Sequence, residues 1–136
     1  MFLRPLWGYF YIMRTILVIE DNKEIRENTA ELLELNNYRV ICARNGQVGF
    51  ALAKQHHPDL VLCDMMMPDT DGLEFLHLAK NHSRVKTIPL IFFSAGSPAP
   101  DMKRKLVKAA DYYLQKPFEE KDLLKAVGKV LKATRE

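Results

Sequence analysis

Two acidic positions stand where apolar runs of the chain break off. Glu20 and Asp21 follow Thr15-Ile16-Leu17-Val18-Ile19, and Asp64 ends Leu60-Val61-Leu62-Cys63. Ser94 follows Pro89-Leu90-Ile91-Phe92-Phe93, and Lys116 follows Tyr112-Tyr113-Leu114. Singly, each has an ordinary structural explanation: an acid can cap a helix, a serine can close a turn, and a lysine is usually solvated. Together they suit phosphate chemistry. Three clustered carboxylates repel one another and raise the cost of ionising each, unless a divalent cation lies between them. An all-oxygen donor set favours a hard ion such as Mg²⁺, which takes one or two carboxylates with waters and phosphate oxygens. A lysine and a hydroxyl opposite the cation would hold the remaining oxygens of a phosphoryl group. Phosphoryl transfer depends mainly on such positioning and charge neutralisation. A central carboxylate can serve as nucleophile and form an acyl phosphate.

The elements that must bring these groups together are legible as alternating patterns. Short β-branched and apolar runs read as buried strands at Thr15–Ile19, Arg39–Ala43, Leu60–Asp64, Pro89–Phe93 and Tyr112–Leu114. Between them the apolar spacing is helical: Ile25, Thr29, Leu32 and Leu33; Val48, Ala51 and Leu52; Leu73, Leu76 and Ala79; Met102, Leu106 and Val107; and Leu123 to Leu131. Asn22 is placed to cap the first helix, and Asn36-Asn37 to end it. Pro98 and Pro100 delay the fourth helix to about Pro100 or Asp101. Strands alternating with helices predict a single doubly wound α/β domain, (βα)5, with a parallel five-stranded sheet and right-handed crossovers. All strand ends of one polarity then share one edge, where open α/β sheets bind their ligands.

Composition sets broad bounds. The chain has 136 residues, 48% hydrophobic and 27% charged, which suits one soluble domain. A net charge of +3, with Lys and Arg spread from Arg14 to Arg135, gives no ground for nucleic-acid binding. Cys42 and Cys63 lie in apolar runs and are expected as reduced core residues in a cytoplasmic protein. Residues 1–13 are set off as an N-terminal extension from the domain at 14–136. The aromatic stretch of the first twelve is too short for a membrane span and lacks a signal-peptide cleavage site. His56, His57, His77 and His82 have no metal-ligand spacing and are expected on the surface.

The motifs I-L-V-I-E-D-N at 16–22, D-L-V-L-C-D-M-M-M-P at 59–68, D-G at 71–72, S-A at 94–95 and Y-L-Q-K-P-F at 113–118 resemble the receiver domain of two-component response regulators. The resemblance runs from about Thr15 to the C-terminus. It implies the strand order 2-1-3-4-5 of flavodoxin-like folds, the order of the chemotaxis regulator CheY. It also implies a role for each matching residue. Asp64 is the phosphoacceptor. Glu20, Asp21, Asp64 and the backbone carbonyl of Met66 hold Mg²⁺. Lys116 pairs with one phosphoryl oxygen and Ser94 hydrogen-bonds another. Tyr113 is an aromatic switch coupled to Ser94, small Ala95 leaves room for the phosphoryl group, and Lys116-Pro117 is a cis peptide.

The function implied is a stand-alone receiver that takes its phosphoryl group from a sensor histidine kinase or a histidine phosphotransfer protein. It would catalyse only its own phosphorylation and dephosphorylation and act on a protein target, without nucleic acid or membrane, as a monomer or weak dimer. Alternatives are a phosphorelay intermediate, a docking receiver that is not phosphorylated, and an Asp-nucleophile phosphatase of the haloacid-dehalogenase type. The last would want an acid two residues after Asp64, where Met66 stands. An FMN-binding module would want a glycine- and hydroxyl-rich loop after the first strand, where Asp21-Asn22-Lys23-Glu24 stands. Three features depart from the common receiver pattern: Asp69 and Asp71 beside the acceptor, Ala109-Ala110 where a glycine cap is usual, and the Pro98/Pro100 segment.

Overall fold

A computed structural model describes residues 13–65, 72–95, 100–116 and 118–135. The twelve N-terminal residues, Met66, Asp69, Asp71, Pro98 and Pro117 lie outside the described residues, as does the Lys116 side chain. The elements in chain order are β1 (Thr15–Ile19), α1 (Lys23–Leu35), β2 (Arg39–Ala43), α2 (Gly46–His56), β3 (Leu60–Asp64), α3 (Gly72–Lys80), a 3₁₀ turn (Val85–Thr87), β4 (Leu90–Ala95), α4 (Pro100–Ala109), β5 (Tyr112–Lys116) and α5 (Glu120–Arg135). The five strands are parallel in the order β2-β1-β3-β4-β5. The architecture is the expected one.

Local signals start and stop the helices. The Asn22 side chain accepts the Ile25 N–H at 2.9 Å, and the Asn45 side chain accepts the Val48 N–H at 2.8 Å. Each satisfies a donor that the first helical turn leaves without a partner. Asn37 (φ 72°) and His57 (φ 47°) take left-handed backbone just after α1 and α2, a conformation asparagine tolerates better than most residues. Pro100 opens α4, where its missing N–H costs nothing. Ala109 ends α4 without left-handed backbone, as its sequence implies.

Alternation along the strands feeds two cores. Leu17, Ile19, Val61, Cys63 and Phe92 face the layer of α2, α3 and the 3₁₀ turn. Ile16, Val18, Leu62, Ile91 and Phe93 face the layer of α1 and α5. All five residues of β3 are buried, as expected of a central strand covered on both sides. Gly49 matters for what lies above: a Cβ there would sit 2.4 Å from Ile19 Cδ1. A Cβ would push the Ile19 side chain aside, so glycine lets α2 lie close to β1 at the residue before Glu20.

Several side chains depart from the pattern reading. Ile25 (37% exposed) and Val107 (54%) face outward, and Ala51 is exposed while Gly49 and Ala53 carry the inner stripe of α2. Cys42 is exposed because β2 is an edge strand, so only Cys63 is a core cysteine. His82 is half-buried rather than on the surface. Its Nδ1 accepts the N–H groups of Arg84 and Val85, and its ring stands edge-on to Phe50.

Candidate functional site

Parallel register carries the predicted residues to one edge. Ile19 pairs with Cys63, and Cys63 with Phe92, so Glu20 and Asp64 emerge one step later, side by side. Asp64 pairs with Phe93, Ser94 with Gln115, and Ala95 with Lys116. The backbone at 20–21, 64, 94 and 116 thus gathers at the carboxyl ends of β1, β3, β4 and β5.

Glu20, Asp21 and Asp64 converge: one carboxylate oxygen from each lies within 4.8 Å of the others. Glu20 is 1% exposed and Asp64 6%, while Asp21 is exposed. The Glu20 acid is pushed up to about 8. Burial is the largest cause; the Asn22 N–H opposes it by favouring the ionised form, while hydrogen bonds that the protonated acid donates to the Asp21 and Asp64 carboxyls, and the Asp64 charge, raise it further. That N–H donates to Glu20 Oε2 at 3.1 Å. Crowded, buried carboxylates of this kind are stable only with a proton or a cation among them. Three oxygen donors this close suit Mg²⁺ in number and hardness.

Ser94 is fully buried at the end of β4. Tyr113 lies on the same sheet face as Ser94 and packs against the α2–α3 core. Its buried hydroxyl has no hydrogen-bond partner among the described residues. A buried phenol in that condition carries a desolvation cost that a second arrangement could relieve. Lys116 ends β5, and its backbone is in register with Ala95. Its side chain, the Met66 carbonyl and the Lys116-Pro117 peptide lie outside the described residues.

One residue was not anticipated. The Arg26 guanidinium on α1 donates to the Glu20 carbonyl at 2.8 Å and the Asp21 carbonyl at 3.4 Å. It pins the acidic pair from behind, leaving both carboxyls to face Asp64. The signal was available: Arg26 falls one helical turn after the Asn22 cap, where its side chain reaches back over the preceding loop.

Known proteins give the same assignment. The family model of the response regulator receiver domain matches residues 16–128. The chain is 35% identical to protein PilG of Pseudomonas aeruginosa, over 82% of this chain and 83% of that one. It is 34% identical to the phosphate regulon transcriptional regulatory protein PhoB of Klebsiella pneumoniae, over 88% of this chain, and spans about half the length of that relative (52%). Among solved structures, the chemotaxis response regulator CheY4 of Vibrio cholerae superposes with a TM-score of 0.77 at 28% identity, covering 87% of this chain and 98% of that one. A signal receiver domain of a histidine kinase from Syntrophus aciditrophicus reaches 0.79 at 29% identity, over 88% and 91%. The chain therefore belongs to the response regulator receiver domains of two-component signalling.

Proposed function

We propose that this receiver is a phosphorylation switch with Asp64 as its acceptor. An Asp64 carboxylate oxygen attacks the phosphorus of a phosphohistidine on a sensor kinase or histidine phosphotransfer protein. The P–N bond breaks as the P–O bond forms, and the departing imidazole takes up a proton. Glu20, Asp21 and Asp64, with the backbone carbonyl of Met66, would hold Mg²⁺. Bound there, the ion neutralises charge on the carboxylates and the transferring phosphoryl group. Ser94 donates its hydroxyl to a second phosphoryl oxygen, and Lys116 pairs with a third. The observation that carries this reading is the convergence of three carboxylates within 4.8 Å, two of them almost wholly buried.

Phosphorylation adds negative charge and acceptor oxygens to an edge already crowded with anions. Ser94 is drawn towards them, and Tyr113, on the same face, exchanges its unsatisfied site for a new one. A partner protein that prefers the shifted surface reads the change.

The test is incubation with Mg²⁺ and acetyl phosphate, read by intact mass. Wild type should gain one phosphoryl group, and Asp64→Asn or chelation of Mg²⁺ should abolish the gain. Absence of any Mg²⁺-dependent modification of the wild type would defeat the reading. In the receiver pattern, the position two residues after the acceptor suits a polar side chain that helps position a hydrolytic water, and here it is Met66. The phosphorylated form should therefore be long-lived, and Met66→Asn should shorten its half-life several-fold.

A further inference from the structure

The surface charge of the molecule is sorted by helix. On α1, Glu24, Glu27, Glu31 and Glu34 are all exposed. At 100° per residue they fall within an arc of about 80°, opposite the buried Leu33, and run about 15 Å along the helix. On α5, Lys121, Lys125, Lys129 and Lys132 are likewise exposed and share one arc of about 80° over about 17 Å. They lie opposite the buried Leu123, Val127 and Val130. Leu33 and these α5 residues enter the same core, so the two helices cover one face of the sheet. Both stripes point away from that core. One face of the molecule is thus an acidic ridge beside a basic ridge.

Among the described residues little neutralises them. Glu27 lies 3.9 Å from Lys23, and Lys121 lies 3.4 Å from Glu119. Among the described residues no ion pair joins the two stripes. Both helices follow parallel strands and return antiparallel to them, so α1 and α5 run parallel to each other. A two-fold axis along these helices turns the face over and exchanges left for right. The acidic ridge of one copy then meets the basic ridge of the other, twice, with helices parallel and stripes of matching length.

We propose that this face is a self-association surface: a two-fold dimer held by reciprocal contact of the α1 glutamates with the α5 lysines of a second copy. Such an isologous contact needs a self-complementary patch, and both halves of this one lie on a single chain. Leu35, 75% exposed at the end of the glutamate helix, adds an apolar contact. A polyanion such as nucleic acid fits less well. Spread across the face, it would meet the glutamate ridge one helix away, within a Debye length. The contact is built from exposed ion pairs and is therefore weak and salt-sensitive. Its ridges begin near the acidic edge, at Glu24, and run away from it, and the contact does not require the phosphoryl chemistry.

Sedimentation velocity on the full chain, at protein concentrations up to about 1 mM, tests it. Wild type should dimerise in 50 mM NaCl, and about tenfold more weakly in 500 mM NaCl, where screening shortens the reach of the charges. Replacing the four glutamates by lysine, or the four lysines by glutamate, should each give a monomer. Mixing the two variants should restore a dimer, now a heterodimer of an all-basic with an all-acidic face. Circular dichroism melts of each variant show that it folds, and the mixing result depends on no comparison with wild type. A wild type that stays monomeric at low salt overturns the proposal, as does a dimer that survives both reversals or variants that fail to pair when mixed.

Discussion

The two edges of the sheet use the same residue type to opposite ends. At the amino edge Asp59 and Asp111 are satisfied: Asp59 Oδ2 accepts the Thr15 N–H at 2.8 Å, with Arg14 3.8 Å from its other oxygen, and Asp111 Oδ2 accepts the Leu90 N–H at 2.8 Å. Each joins the start of one strand to the connection entering another. At the carboxyl edge Glu20, Asp21 and Asp64 face one another, and the Glu20 acid is pushed up to about 8. One edge spends its carboxylates on holding strands in register. The other packs three acids against one another, so that one of them keeps its proton to about pH 8. The acidic cluster at one edge costs the fold stability, and the opposite edge is where carboxylates secure it.

The largest effect expected from this contrast is a reversal in what one carboxylate does. Asp64→Asn should lose all phosphoryl uptake, yet should melt higher than wild type without Mg²⁺, by a few degrees or on the order of 1 kcal/mol, because a buried charge beside Glu20 and Asp21 is gone. Parallel mass and melting measurements check both halves. A variant that loses uptake and also melts lower would mean that the contacts of Asp64 stabilise the fold by more than its buried charge costs.

Next in size is the pH dependence. A Glu20 acid raised from 4.5 to about 8 means that the folded, metal-free protein holds a proton the unfolded chain has lost over that range. Its stability should be full below about pH 4.5 and fall as pH rises towards 8. The slope from this group is at most about 1.4 kcal/mol per pH unit, the value for one proton. Glu20→Gln should flatten the slope, and so should saturating Mg²⁺, which replaces the proton as the neutralising charge. Thermal melts from pH 5 to 8, with and without Mg²⁺, show whether the carboxyl edge behaves as described. An equal slope in Glu20→Gln would place the titrating group elsewhere.

The carboxyl edge was the more legible of the two from sequence. Its residues end apolar runs, and parallel topology carries every such end to one side, so Glu20, Asp21, Asp64 and Ser94 could be placed before any coordinates. The strands were legible for the same reason: β1, β2 and β3 begin and end at the residues the pattern gives. Helix faces were read less well. Ile25, Ala51 and Val107 fit a helical period yet point outward, because the period says which residues share a face and not which way the face turns. Arg26 was missed because its one signal, a place one turn after the Asn22 cap, is shared by many solvated arginines, and its contacts are to backbone carbonyls. The charge stripes of α1 and α5 were hidden by a net charge of only +3, in which their opposite signs largely cancel. The amino edge was hidden too: an aspartate accepting a strand N–H has no signature apart from the fold that brings the N–H to it.

The smallest expected effect belongs to that amino edge, and it separates structural from functional carboxylates. Asp111→Ala removes the acceptor of the Leu90 N–H at the point where β4 begins. Leu90 is 5% exposed, so water reaches the stranded donor poorly, and the cost should be about 1–3 kcal/mol. Asp59→Ala should cost less, about 1 kcal/mol, since its Arg14 contact is long and both side chains are partly solvated. Neither site touches the acidic cluster, so phosphoryl uptake by the folded protein should match wild type in both variants. Denaturant unfolding beside the mass assay decides the matter. A loss of uptake in Asp111→Ala at temperatures where the variant is fully folded would mean that the start of β4 governs Ser94 at its far end. The two edges would then be coupled along a single strand, and the division of labour between them would not hold.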